Sequence, residues 1–203
     1  MFRLLHFLAI ALFLLPAGGC DRGPAIAPLP EDAIVLAFGD SLTYGTGAGS
    51  GESYPEVLAA LLGRTVINAG VPGETSAQGL RRLPDVLAEY EPDLVILCHG
   101  GNDFLRRLDR QQLAANLEAM VALIHDSGAE VVVVGVPQFG LLLKTAPLYD
   151  QLAETYRLPY EGDIITDLLG DRDLKSDTVH PNAAGYRQLA EALFRLIDRA
   201  QRS

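Results

Sequence analysis

The stretch AIVLAFGDSLTYG, residues 33–45, joins six consecutive apolar residues to a Gly-Asp-Ser turn. An unbroken apolar run suits a strand covered on both faces, because a half-exposed strand would alternate. Similar runs recur at residues 65–68, 94–98 and 130–136, and residues 158–160 form a fifth, shorter candidate. Between them, residues 54–62, 77–90, 110–127, 148–157 and 182–199 repeat apolar positions at three- and four-residue spacing. Gly128 stands where a helix-terminating glycine is preferred. Alternating strands and helices predict one α/β domain built on a mostly parallel sheet of about five strands. In such a sheet, ligands bind outside the carboxyl ends of the strands.

Those ends are polar and glycine-rich. The first strand runs into Gly39-Asp40-Ser41, the second into Asn68-Ala69-Gly70, and the third into Gly100-Gly101-Asn102-Asp103. Shortly before the last helix comes Asp177-Thr178-Val179-His180-Pro181-Asn182. Together these residue types describe acyl transfer. A serine hydroxyl becomes a useful nucleophile when an imidazole takes its proton, and the imidazole needs a carboxylate to fix its tautomer. Ser41, His180 and Asp177 supply the three groups. Charge developing on a carbonyl oxygen needs preorganised donors, available here from the Ser41 amide, the Gly70 amide and the Asn102 carboxamide.

Other readings of the same residues are weaker. Gly45, Gly47, Gly49 and Gly51 contain no Gly-x-Gly-x-x-Gly and precede no Gly-Lys-Ser/Thr, so they read as a flexible loop beside the serine. Ser41 lacks the Gly-x-Ser-x-Gly elbow, since Thr43 stands where the second glycine belongs. Asp40 and Asp103 are expected to brace their loops through backbone amides. His99 reads as a hydrogen-bonded histidine at a strand end or as a residue bordering the pocket, and Cys98 as a small packed hydrophobe. Phe139, Leu141, Leu142 and Leu143 form an apolar stretch after a strand, suited to an acyl pocket, to core packing or to a dimer contact.

The phrases GDSLTYG, NAGVPGETSAQGLRRLP, GGND and DTVHPN, spread over residues 37–182, resemble the SGNH (GDSL-type) hydrolases, in particular their arylesterase, thioesterase I and lysophospholipase L1-like branch. The resemblance implies a flavodoxin-like three-layer α/β/α sandwich and no metal or organic cofactor. It also implies Ser41 as nucleophile, His180 as base, Asp177 as its partner, and Gly70 and Asn102 as oxyanion donors beside Ser41. The expected substrate is a small ester or thioester, lysophospholipid included. A carbohydrate acetylesterase of the cell envelope and a catalytically silent lipid- or glycan-binding lipoprotein stay open as alternatives. His99 and the apolar stretch 139–143 depart from the family pattern and bear on substrate choice.

The amino terminus is a different kind of sequence. Residues 1–19 carry no acidic residue and only Arg3 as a basic one, ahead of a largely apolar run ending at Pro16. This is the layout of a secretory signal, and the run is shorter than the ~20 apolar residues of a membrane-spanning helix. Ala17-Gly18-Gly19 before Cys20 resembles a bacterial lipoprotein processing site, which makes Cys20 the candidate lipidated residue; a plainly cleaved signal or an uncleaved anchor are the alternatives. Residues 20–31, with three prolines, read as a tether, and residues 32–203 as the catalytic domain. The expected location is therefore outside the cytoplasm, in the periplasm or cell envelope, with acyl chains on Cys20 as the membrane attachment. With 26 acidic against 16 basic residues and a net charge of -10, the whole molecule repels phosphate backbones, which argues against nucleic acid as a partner. Two cysteines are too few for a disulfide scaffold or a four-thiolate zinc site.

Overall fold

The computed structural model describes residues 23–138 and 143–203. In chain order the elements are β1 (Ile34–Gly39), α1 (Ser41–Tyr44), α2 (Tyr54–Leu62), β2 (Thr65–Gly70) and α3 (Ser76–Tyr90). Next come β3 (Leu94–Cys98), α4 (Gly101–Leu105), α5 (Arg110–Asp126), β4 (Glu130–Val134), β5 (Pro137–Gln138) and β6 (Lys144–Thr145). The chain finishes with α6 (Pro147–Tyr156), β7 (Tyr160–Glu161), α7 (Ile164–Gly170) and α8 (Ala183–Ala200).

Five strands form one all-parallel sheet in the order β2-β1-β3-β4-β7. Each parallel step needs a right-handed crossover, so the reversal of direction between β1 and β3 sends α2 to one face and α3 and α5 to the other. The packing agrees: α2 lies against α8, and α3 against α5. The result is a flavodoxin-like three-layer α/β/α sandwich.

Local sequence explains most of the boundaries. Ser53 and Glu56 form a capping box at α2, and Thr75 and Gln78 form one at α3, so orphan amides at both helix starts are satisfied. The Asp109 carboxylate caps α5 through the Gln111 and Gln112 amides. Strands β1, β3 and β4 are almost wholly buried, as their apolar runs demand. Strand β2 differs: among the described residues it is an edge strand paired with β1 alone, and Thr65 and Asn68 reach solvent. Helix α7 and the antiparallel pair β5-β6 have no counterpart in the sequence reading, because segments of seven and two residues are too short to show a period.

Residues 23–31, part of the stretch read as a tether, dock on the domain. Ile26 is only 6% exposed and belongs to the hydrophobic core. Its amide donates to Ala200 O at 3.1 Å, Ala27 N–H to Glu130 Oε1 at 3.0 Å, and Leu29 N–H to Gln201 Oε1 at 2.8 Å. Proline-rich composition signals lack of internal periodicity, but it says nothing about docking on another surface. These contacts lie at the amino-terminal edge of the sheet, where β4 begins and α8 ends. Truncating Ile26 to Ala is expected to lower unfolding stability by about 2–4 kcal/mol, the usual cost of deleting a buried aliphatic side chain. Urea denaturation measures it, and an unchanged midpoint would mean the segment carries no packing energy.

Candidate active site

The strand register brings three loops together. Gly39 at the end of β1 lies opposite Gly70 of β2 on one side and Cys98 of β3 on the other. The loops that follow therefore leave the sheet at one level, on its carboxyl edge. Ser41 opens α1, with the Asp40 carboxylate capping it through the Leu42 amide at 3.1 Å.

Asp177 and His180 arrive from the other direction, on the loop before α8. Asp177 Oδ1 accepts the Val179 and His180 amides, each at 2.8 Å, so the turn folds back on its own carboxylate. Its Oδ2 accepts from His180 Nδ1–H at 2.8 Å, which leaves Nε2 as the acceptor. Ser41 Oγ–H donates to that Nε2 at 3.0 Å. Burial alone would raise the Asp177 carboxyl, but the His180 ring and the two amides outweigh it and hold the group below its usual range. Gly47, with φ at +99°, is where the two loops touch: a side chain there would collide with Ser176 Oγ and approach Pro181 O to 2.6 Å. Tyr186 Oη–H donates to Thr46 O at 2.8 Å in the same contact, so the glycine-rich stretch is pinned against the histidine loop.

The three candidate oxyanion donors lie around the same edge. Gly70 packs against the α1 backbone, where a Cβ would meet Tyr44 N and Cα. Its N–H is engaged by Asn68 Oδ1 at 3.0 Å, and Asn68 Nδ2 donates to Tyr44 O at 3.3 Å. Asn102, in the first turn of α4, donates from Nδ2 to Glu74 O at 3.0 Å and to Asp40 Oδ2 at 3.2 Å. The supporting aspartates are both buried. Asp40 is raised above its usual range by burial, against the pull of His99, the Leu42 amide, His180 and the Gly101 amide. Asp103 accepts from Ser76 N–H at 2.8 Å and Oγ–H at 2.6 Å, tying α4 to the start of α3. Asn116 Nδ2 donates to the same Ser76 Oγ at 2.8 Å.

Other sequence expectations fall as follows. His99 is fully buried, hydrogen-bonded to Glu74 at 3.2 Å, and does not line the serine cleft. Burial pushes the Cys98 thiol far above its ordinary range, so it packs as a hydrophobe. Phe139, Leu141 and Leu142 lie outside the described residues, as does Cys20. Leu143 is half-buried against the core. The described apolar lining of the cleft includes Leu42, Leu105, Val136, Pro137, Leu169 and Val179. Leu169 carries no sequence signal, because α7 at seven residues is too short to show a period. Asn68 lies at the end of β2 two residues before Gly70, Glu74 in the loop that follows and Arg82 in α3, and their contacts with one another and with the loop carry no local sequence signal. Among the described residues, no cluster of three metal-binding side chains occurs.

A family model described as the GDSL-like lipase/acylhydrolase family matches residues 37–188. The arylesterase of Vibrio mimicus is 33% identical over 168 residues, covering 77% of this chain and 84% of that protein. Thioesterase 1/protease 1/lysophospholipase L1 of Escherichia coli strain K12 is 29% identical over 156 residues, covering 73% and 75%. Among solved structures, the psychrotrophic esterase EstA from Pseudoalteromonas sp., inhibited by monoethylphosphonate, aligns with a TM-score of 0.75 at 25% identity. That alignment covers 85% of this chain and 100% of EstA. With a matching model that spans the sheet edge, the serine loop and the histidine loop, the chain belongs to the GDSL-like lipase/acylhydrolase family.

Proposed function

We propose that this protein is a serine esterase that cleaves carboxylic esters or thioesters through an acyl-enzyme on Ser41. The observation that carries the reading is the unbroken relay from Ser41 Oγ to His180 Nε2 at 3.0 Å and from His180 Nδ1 to Asp177 at 2.8 Å. As Ser41 Oγ bonds to the substrate carbonyl carbon, its proton passes to Nε2, and the ionised Asp177 stabilises the imidazolium. Collapse of the tetrahedral intermediate expels the alcohol or thiol, which takes that proton. Water then repeats the sequence, releasing the acid and free Ser41. The oxyanion is assigned to the amides of Ser41 and Gly70 and to Asn102. An incoming oxyanion displaces Asn68 Oδ1 from the Gly70 amide and replaces the longer Asn102 bond to Asp40, while Glu74 O keeps hold of the carboxamide. Catalytic hydrogen bonds commonly rearrange in this way when substrate arrives.

The names of the relatives, arylesterase and thioesterase 1/lysophospholipase L1, support a small ester or thioester substrate, with lysophospholipid in range. The acyl chain is assigned to the apolar side of the cleft. Val136 and Pro137 line it, and the apolar Phe139, Leu141, Leu142 and Leu143 follow them closely in sequence.

Export and attachment through lipidated Cys20 complete the proposal. Only five residues separate Cys20 from the docked Ile26, a reach of at most ~20 Å. Ile26 bonds to the carboxyl end of α8, whereas His180 lies just before its amino end, and 18 helical residues span about 27 Å. A chain tethered this way turns its catalytic edge away from the membrane that holds it. Among the described residues no helix is long and apolar enough to cross a membrane.

Three outcomes test these assignments. Ser41→Ala is expected to fold normally and to lose at least ~10³-fold in kcat on a p-nitrophenyl ester, with Asp177→Asn losing a comparable factor; substantial turnover by the serine variant refutes the nucleophile. Asparagine at Leu142 and Leu143 should raise KM for octanoyl esters with little change for acetyl esters, and an equal rise for both removes the acyl-pocket assignment. Cys20→Ser should move the enzyme from the membrane fraction to the soluble fraction at unchanged kcat/KM, whereas continued membrane association rules out Cys20 as the anchor.

A further inference from the structure

Arg82, Glu74 and His99 lie outside the serine cleft, and no proton or bond in the acyl-transfer sequence passes through them. They form a cluster where the loops after β2 and β3 meet α3, with Glu74 and His99 buried and Arg82 partly exposed. Arg82 grips Glu74 with two arms, Nε–H to Oε1 at 2.9 Å and Nη2–H to Oε2 at 2.6 Å. His99, without exposed surface, donates Nε2–H to the same Oε2 at 3.2 Å, the direction being set because a carboxylate only accepts. The guanidinium also stacks 4.3 Å from the centroid of the Phe38 ring in β1. Gly79 of α3 makes room for the imidazole, since a Cβ there would collide with His99 Nε2.

Two further bonds connect this cluster to the oxyanion donors. Arg82 Nη2–H donates to Ala69 O at 3.1 Å. That carbonyl and the Gly70 N–H belong to one planar peptide unit, so holding the oxygen fixes the direction of the amide. At the other end of the loop, Glu74 O accepts from Asn102 Nδ2 at 3.0 Å. Through its side chain, then, Arg82 sets one donor, and through the backbone of the residue it grips it sets the other.

We propose that Arg82, Glu74 and His99 are positioning residues that lock the Gly70 amide and the Asn102 carboxamide into a single relative geometry. The inference rests on the reading of those two groups as oxyanion donors. Burial works against the Glu74 charge, yet the bonds from His99 and Arg82 hold its carboxyl at about 2, so the grip persists across the working pH range. An arginine is required because only a planar fork can bind both carboxylate oxygens and still reach a carbonyl; a lysine offers one compact charge. His99 fills the remaining side of the carboxylate, and its Nδ1 has no hydrogen-bonding partner among the described residues.

The test compares Arg82→Met and Arg82→Lys with Asn102→Ala in the full chain. Active sites are counted by titration to completion with an alkyl fluorophosphonate, and kcat per titrated site, KM and Tm are then measured. Displacing oxyanion donors by a fraction of an ångström should cost Arg82→Met about 10- to 100-fold in kcat per site with KM within about twofold, and Arg82→Lys should fall between it and wild type. A merely structural arginine would lower Tm and the number of titratable sites while each surviving site turned over at the wild-type rate, which overturns the proposal. If Arg82→Met does not fold, wild-type kcat per site in Arg82→Lys overturns it equally. Asn102→Ala separates the two levels: it should lose about 10²- to 10³-fold in kcat. If it loses nothing, the oxyanion reading fails and takes this proposal with it; if it does and the arginine variants do not, positioning alone fails.

Discussion

Everything at the carboxyl edge depends on β1 pairing in parallel with β2 and β3 at the same level. Gly39 lies between Gly70 and Cys98, and a side chain on it would collide with Cys98 O and Thr43 Oγ1. Parallel pairing means that all three strands deliver their following loops to one side of the sheet. The serine turn, the Gly70 loop and the Asn102 turn are thus neighbours because of register, before any side chain contributes. A one-residue slip would move every β1 side chain to the opposite face and carry Ser41 out of reach of His180.

The edge then accumulates buried carboxyl groups, and each is answered locally. Asp40 faces the Leu42 amide and the Asn102 carboxamide, Asp103 faces Ser76, and Glu74 faces Arg82 and His99. Carboxyl groups so far from solvent persist only when hydrogen-bonded. Their yield is geometric: each carboxylate joins a loop to a neighbouring helix or loop. The Asp177–His180 pair sits nearer water, with half the Asp177 side chain exposed.

Legibility in the sequence followed the range of the interaction. The apolar runs at 33–38 and 94–98 foretold central strands because burial on both faces writes itself into consecutive residues. The four polar turns were legible because their chemistry is local, and the structure brings Ser41, Asp177 and His180 into one hydrogen-bonded chain. The docking of residues 23–31 is not legible in the sequence, because Ile26 is held by Ala200, at the far end of the chain. His99 fits two readings by sequence alone, since its partner Glu74 is 25 residues away and Gly79, which makes space for it, belongs to a third element.

The sequence by itself determined the alternation of elements, the acidic character, and the reactive groups at the loop ends, all properties set within a turn or a strand. Only tertiary structure decided which loop touches which: that Gly47 abuts the histidine loop, that Arg82 reaches the Ala69 carbonyl, and that the amino-terminal segment docks opposite the serine. The physical reason is that these contacts are chosen by strand order and helix packing, and so by energies summed over the whole core, which no single segment encodes.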